Sequence, residues 1–332
     1  MPQIAVSDLT KTYRVAVRQP GLFGAMRGLF VRQHREIQAL AGVTFSLQEG
    51  ELIGMIGPNG AGKSTLIKIL CGILEPTSGA CVIDGRVPGR ERIAHVARIG
   101  VVFGQRTQLW WDLPVIDSFE LLRDIYRVPE LQFRATLDQL VAMLKIGAIL
   151  DQPVRQLSLG QRMRCDIAAA LLHSPSILFL DEPTIGLDAV SKLALRDFIK
   201  TLNREQKVTV ILATHDMHDI EALAERVVII AHGRILRDGP IEAMRQETVG
   251  ERRLIIDFAD DIIEMVAIPD GTVVLSRDRR RLKLGFDPRV TPVHTLIGHM
   301  AALQSIRDLA IEEPTIEELI ARFYTSHGAV EA

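Results

Sequence analysis

The sequence is poor in cysteine, carries almost no excess charge and contains no long apolar run. Its three cysteines, Cys71, Cys81 and Cys165, are odd in number and show no C-x-x-C spacing. That excludes a disulfide framework, and a complete structural zinc site built from them alone. A reducing, cytoplasmic setting is expected. Lys and Arg total 39 against 41 Asp and Glu, a net charge of −2, so the chain offers no overall field for gripping a nucleic-acid backbone, and no nucleic-acid partner is expected. No stretch approaches the roughly 18 apolar residues of a membrane span, and the opening residues lack the charged head and apolar core of a secretory leader. Internal repeats and low-complexity segments are also missing, which points to a single catalytic unit rather than two fused copies.

What is present is a globular composition, 47% hydrophobic and 24% charged over 332 residues. That length predicts one large domain and one smaller one. Residues 51–70 read as an apolar strand, a glycine-rich turn and a helix with Leu66, Ile67, Ile69 and Leu70 on its apolar side. The runs 177–180, 208–213 and 227–230 are short and aliphatic, as buried strands of a parallel sheet should be. Between about 107 and 172 helical spacing dominates (Leu121, Leu122, Ile125; Leu137, Leu140, Val141, Leu144; then 167–172), predicting an inserted helical subdomain. Residues 1–240 therefore read as α/β. After Gly239 and Pro240 the texture changes to strands at 252–258, 272–276 and 282–286. Two helices follow, one with Val293, Leu296, Ile297, Met300 and Leu303 on one face, the other with Ile316, Leu319, Ile320 and Phe323 behind a Thr315-x-x-Glu318 capping box. A small α+β domain over 241–332 is expected.

Gly57-Pro58-Asn59-Gly60-Ala61-Gly62-Lys63-Ser64 fits G-x-x-x-x-G-K-[ST] and stands between a strand and a helix, where that pattern has meaning. Successive backbone N–H groups can turn inward on phosphate oxygens only where side chains do not intervene, and the helix dipole favours the anion. Lys63 is expected to neutralise the β- and γ-phosphates of ATP, Ser64 to ligate Mg²⁺, and Thr65 to donate to the α-phosphate. The apolar run 177–180 delivers Asp181 and Glu182 at its C-terminal end, where open α/β sheets hold ligands. Asp181 suits the Mg²⁺ shell, and Glu182 is the candidate general base for the attacking water.

Leu157-Ser158-Leu159-Gly160-Gln161, with Gly160 lying 21 positions before Asp181, is similar to the LSGGQ signature of ABC transporter ATP-binding subunits. Leu159 stands where the family has its first glycine, a departure that leaves Ser158 and Gly160 in place. The resemblance implies a P-loop NTPase of the ABC type, a mixed sheet with an inserted helical subdomain, followed here by the small C-terminal domain. It also implies that Ser158, Gly160 and Gln161 act in trans on the nucleotide of an opposite copy, aided by Asp188 of Gly186-Leu187-Asp188. Tyr13 resembles the adenine-stacking aromatic, Gln105 the glutamine that senses Mg²⁺ and water, and His215 the histidine at the γ-phosphate. His215 and His218, three apart, also admit a metal-ligating reading.

The segment 102–114, with both tryptophans of the chain (Trp110 and Trp111), resembles ATPases of ABC-2-type exporters such as drug or viologen efflux systems. The two rings either pack inside the helical lobe or form a pocket for a permease helix. The resemblance implies ATP hydrolysis by a homodimer, or a dimer with a related ATPase, at the inner face of the cell membrane, powering export through a separate permease. An importer ATPase, or a soluble ABC ATPase acting on ribosomes or DNA ends, is the alternative. Residues 19–36 add a basic stretch with scattered apolar residues: Lys11, Arg14, Arg18, Arg27, Arg32 and Arg35 face Glu36 alone over 11–38, so contact with a membrane surface is a further expectation.

Overall fold

The computed structural model describes residues 2–16, 34–104, 106–247, 252–262, 268–313 and 315–326. The chain forms two compact units, Met1–Asp238 and Gly239–Ala332.

In the first unit, β1 (Ile4–Ala16), β2 (His34–Leu47), β3 (Leu52–Ile56), α1 (Lys63–Leu70), β4 (Ser78–Ile83), α2 (Arg92–Val96) and β5 (Ile99–Phe103) precede a helical segment. That segment holds α3 (Val115–Tyr126), α4 (Glu130–Leu144) and α5 (Leu159–Leu171). Then follow β6 (Ile177–Asp181), α6 (Ala189–Gln206), β7 (Thr209–Ala213), α7 (Met217–Leu223), β8 (Arg226–Ala231) and β9 (Arg234–Pro240). Six strands form one sheet in the order β5-β6-β7-β3-β8-β9, and β1, β2 and β4 form a second, antiparallel sheet. The pairs from β5 through β8 are parallel. Parallel strands are covered on both faces, and the first four residues of β6 and all of β7 are accordingly buried.

This topology positions the site. β3 lies mid-sheet between β7 and β8 and feeds α1, while β5 and β6 run in register with Phe103 beside Asp181 and Asp181 beside Ala213. The C-terminal ends of β3, β5, β6 and β7 therefore converge on one edge. The helical segment folds as expected, with one difference in α3. Val115, Ser118, Phe119 and Leu122 are its buried face, whereas Leu121 and Ile125 are exposed. Residues at i, i+3, i+4 and i+7 share a stripe about 100° wide, and the stripe set by Phe119 leaves Leu121 outside it.

In the second unit, α8 (Ile241–Glu247) precedes β10 (Arg252–Phe258), β11 (Thr272–Arg277), β12 (Arg281–Phe286), α9 (Val293–Leu303), β13 (Ile306–Glu312) and α10 (Ile316–Ser326). The strands make one antiparallel sheet, β11-β12-β10-β13. Leu254, Ile256, Phe258, Leu282, Leu284 and Phe286 form its core with Leu296 and Met300 of α9. β13 has no counterpart in the sequence reading. It is an edge strand whose residues after Ile306 are all exposed, Arg307, Asp308 and Glu312 among them, so it shows no apolar alternation. No helix among the described residues is long and apolar enough to cross a membrane.

Candidate active site

After β3 the chain cannot continue straight, because Gly60 and Gly62 adopt φ of 81° and 109°, a region open to glycine at little cost. Gly62 is also sterically required: a Cβ there would stand 2.6 Å from the Ala39 carbonyl oxygen of β2. The loop closes on itself through Ala61 N–H to the Pro58 carbonyl (3.1 Å), and Gly233 N–H in the turn between β8 and β9 bonds the Ala61 carbonyl (3.0 Å). The result is a rigid loop leading into the N-terminus of α1, where unpaired N–H groups and the helix dipole favour an anion.

Lys63, the first residue of α1, is buried and donates to the carbonyls of Gly57 and Pro58. Burial lowers its pKa, opposed by the charges of Glu182 and Asp181. Asp181 is shifted up, first by burial and then by neighbouring Glu182, while a hydrogen bond from Ser64 pulls the other way. Both shifts penalise the charged form in the free site. A polyanion beside Lys63 and a cation beside Asp181 would each relieve one of them.

Ser64 Oγ lies 3.2 Å from Asp181 Oδ1. One hydroxyl and one carboxylate suit Mg²⁺, which keeps several waters and is usually completed by substrate phosphates rather than by an all-protein cage. Among the described residues no group of three or more His, Cys, Asp or Glu is placed to hold a metal ion.

Glu182 leaves β6 with φ 56°, uncommon for a residue with a side chain. Its N–H is tied to the Ala213 carbonyl at 2.8 Å, and its Oε2 accepts from His215 Nδ1 at 2.7 Å. Thr214 N–H bonds the Met55 carbonyl of β3 at 3.2 Å, which holds the start of the His215 loop against the phosphate-loop strand. A cavity of about 540 Å³ opens between these groups, lined by Pro58 through Thr65, Asp181 and Glu182.

A family model for the ABC transporter domain matches residues 40–185. The daunorubicin resistance ATP-binding protein DrrA3 of Streptomyces coeruleorubidus is 32% identical over 294 residues, 87% of this chain and 92% of that protein. The methionine import ATP-binding protein MetN of Geobacillus kaustophilus is 36% identical over 209 residues, 62% of this chain and 61% of that protein. The dimeric post-hydrolysis structure of the ATP-binding cassette MJ0796, bound to ADP and Pi, superposes with a TM-score of 0.60 at 28% identity, covering 72% of this chain and 98% of that one. The chain is an ATP-binding subunit of an ABC transporter. Its core is an α/β ABC ATPase cassette, followed by a small α+β unit.

Within this cassette the expected residues fall into three groups. Pro58 to Thr65, Asp181 and Glu182 share the cavity wall; Gly57 adjoins it through its bond to Lys63, and His215 touches it through Glu182. A second group stands apart from the cavity. Ser158 and Gln161 are spent on one another in a capping box at the start of α5, with Gln161 N–H on Ser158 Oγ (3.2 Å) and Ser158 N–H on Gln161 Oε1 (2.8 Å). Gly160 lies in the first turn of α5, where a Cβ would come 2.7 Å from Ser191 Oγ. Asp188 caps α6 through Ser191 N–H (2.9 Å), which holds its carboxyl below the usual range. Tyr13 is half-buried on β1 opposite Ile37, two positions along β2 from Ala39, a cavity residue. Gln105 alone makes the third group, since it lies outside the described residues.

Sequence reasoning missed Ala39, Lys68, Ile73, Phe103, Gly104 and Arg106 at the cavity. Gly104 had a readable signal, a glycine directly after a strand and before Gln105. Its N–H bonds the Asp181 carbonyl at 2.7 Å, and a Cβ at 104 would fall 1.9 Å from the Glu182 carbonyl oxygen.

Proposed function

We propose that two copies of this chain close head to tail around two MgATP molecules, hydrolyse them, and so drive export through a separate ABC-2-type permease. Residues 1–240 serve as the nucleotide-binding domain and 241–332 as an accessory domain. The main support is the convergence of Lys63, Ser64, Asp181, Glu182 and His215 on one cavity, while Ser158, Gly160, Gln161 and Asp188 lie away from it. In one copy the signature residues have no nucleotide to touch; a second copy gives them one.

Lys63 and the backbone N–H groups of Gly60, Gly62, Lys63 and Ser64 bind the β- and γ-phosphates, and Thr65 donates to the α-phosphate. Tyr13 stacks on adenine. Ser64 and Asp181 would hold Mg²⁺, with Gln105 expected as a further ligand; when bound, the ion neutralises charge on the phosphate oxygens. Glu182 takes the proton of the attacking water, and His215 orients its carboxylate through Nδ1. Ser158 and the N-terminus of α5 meet the γ-phosphate held by the other copy. Glu182→Gln should lower turnover about 10²- to 10⁴-fold while ATP still binds. Unchanged turnover in a steady-state assay would remove the base assignment.

Export is favoured over import by the extent of the likeness to a daunorubicin-resistance protein, since resistance to a toxic compound fits outward transport and the alignment takes in most of this chain. The methionine importer aligns over a smaller share and supplies the second reading. ATP-dependent accumulation of substrate inside inverted membrane vesicles is the expected result for an exporter; accumulation only in right-side-out vesicles reverses the direction. The cassette is peripheral to the inner face of the membrane, held there by the permease. Trp110 and Trp111, both substantially exposed along with Leu121 and Ile125, suit a groove for a permease helix. Co-purification of a multi-span protein supports this partner, and co-purification of ribosomes would favour a soluble ABC ATPase. Lipid contact by 19–36, of which 19–33 lie outside the described residues, is tested by liposome flotation with and without that segment.

A further inference from the structure

Asp166 is a buried carboxylate with no part in the chemistry above. It lies on α5, two helical turns beyond Ser158, and is only 4% exposed. Its Oδ1 accepts from the Thr107 hydroxyl at 2.7 Å and from Gln108 N–H at 3.0 Å, while its backbone carbonyl accepts from Gln108 Nε2 at 2.8 Å. Thr107 Oγ1 in turn accepts from Leu109 N–H at 3.1 Å. One turn earlier on α5, the Arg162 guanidinium sits 5.6 Å from the centre of the Trp111 ring. Residues i and i+4 share a helix face, so Arg162 and Asp166 together hold the segment from Thr107 to Trp111 along one side of the signature helix. Just upstream, Gly104 is bonded to Asp181. Within three residues the chain passes from the carboxylate strand of the nucleotide cavity to the helix that begins at Leu159.

A loop could be anchored more cheaply. Burying a carboxylate costs free energy, visible here as a pKa pushed up to about 6 by desolvation. In return it makes charge-assisted hydrogen bonds, shorter and more directional than those of a neutral acceptor. We propose that Asp166 is a positioning residue for ATP hydrolysis: it fastens Thr107 and Gln108 to α5, so that the end of β5 at one nucleotide cavity sets the placement of the Ser158 and Gly160 offered to the other. This rests on the reading of Ser158 and Gly160 as contacts in trans. It adds a coupling between the cavity edge and the signature helix that runs through side chains of the 107–111 segment.

The test uses the full chain as wild type, Asp166→Ala, Asp166→Asn, Thr107→Val and the double variant Thr107→Val/Asp166→Ala. Binding of a fluorescent ATP analogue is measured at protein concentrations that keep the chain monomeric, alongside kcat and KM for ATP. The phosphate loop is untouched, so affinity should stay within about twofold in every variant while kcat falls about tenfold or more in Asp166→Ala and Thr107→Val. The double variant should be no worse than Asp166→Ala, because both remove the same link. Asp166→Asn keeps an acceptor at Oδ1 and should recover kcat to within about threefold of wild type. Wild-type kcat in Asp166→Ala overturns the proposal, as do additive losses in the double variant. Should Asp166→Ala fail to fold, a wild-type kcat in Thr107→Val overturns it equally. Failure of the trans reading would look different: the Glu182→Gln variant with Asp166 intact would show no ATP-driven dimer, whatever the Asp166 variants do.

Discussion

Gly104 and Glu182 meet backbone to backbone at the ends of β5 and β6, and a single methyl group decides whether they can. With a Cβ at 104 falling 1.9 Å from the Glu182 carbonyl oxygen, Gly104→Ala must push the two strand ends apart. Overpacking of this kind costs about 1–3 kcal/mol, and the displaced element carries the proposed base. We expect a lowered melting temperature together with a turnover loss larger than the stability loss explains, measured by thermal denaturation and ATPase assay on one preparation. Asp166 makes a pH-dependent prediction. Its folded-state pKa is pushed up to about 6 by burial, with Thr107, Gln108 and Arg162 opposing, whereas an unfolded Asp titrates near 4. Between those values the folded chain holds a proton that the unfolded chain lacks, so stability from this group rises as pH falls from about 6 to about 4 and is lost above. The melting temperature of wild type relative to Asp166→Asn should climb over that range on acidification; a flat difference contradicts the shift. At this scale the contiguous residues were legible. Gly57 to Thr65, Asp181 and Glu182 are recognisable because the loop and the paired acids are each continuous in the chain. Ala39 and Arg106 were not, since Ala39 reaches the cavity from β2 and Arg106 from the turn after β5, and only the glycine at 104 left a local sign.

Elements were legible where an unbroken aliphatic run or a neighbouring motif marks them, whereas β1 and β4, half-buried in the antiparallel sheet, went unread. The parallel strands announce themselves as unbroken aliphatic runs, and α1 and α5 by their positions beside motifs. The edge strand β13 was missed for want of apolar alternation, and α3 turned its expected apolar residues Leu121 and Ile125 outward. At the start of α10 the capping box is half made: Glu318 N–H reaches Thr315 Oγ1 at 3.3 Å, but the Glu318 carboxylate is taken by Arg253 at 2.6 Å, which lowers its pKa. A distant cation outcompetes the local N–H, a choice that spacing cannot reveal. The joint between β6, α6 and α7 is of the same kind. Fully buried Asp219 accepts from Thr184, two residues after Glu182, and from Arg196 Nε at 2.7 Å, while Asp216, next to His215, pairs with Lys192 at 2.6 Å. Removing one partner of a buried pair strands the other. Asp219→Ala should therefore cost about 3–5 kcal/mol in denaturant unfolding, and Asp216→Ala, whose pair is partly exposed, about 1 kcal/mol or less. Equal losses would place the joint elsewhere.

For the whole molecule, the separation of Ser158 and Gly160 from the cavity makes a prediction that no single copy can satisfy. Lys63→Ala and Ser158→Ala proteins should each be nearly inactive alone. Mixed in equal amounts, they form some dimers in which one site has an intact Lys63 from one copy and an intact Ser158 from the other, so activity should return to about a quarter of wild type if sites act independently. No recovery on mixing would argue against nucleotide sites shared between copies. The sequence alone determined the phosphate loop, the paired carboxylates, the signature and the α/β order of the first unit, because each depends on neighbours within a few residues or on a short apolar period. Only the tertiary structure decided which strand ends meet, that Gly104 must lack a side chain, that His215 holds Glu182, and that Asp166 binds the segment after β5 to the signature helix. Those contacts join residues tens of positions apart, and their geometry follows from strand order and packing, which no local spacing encodes.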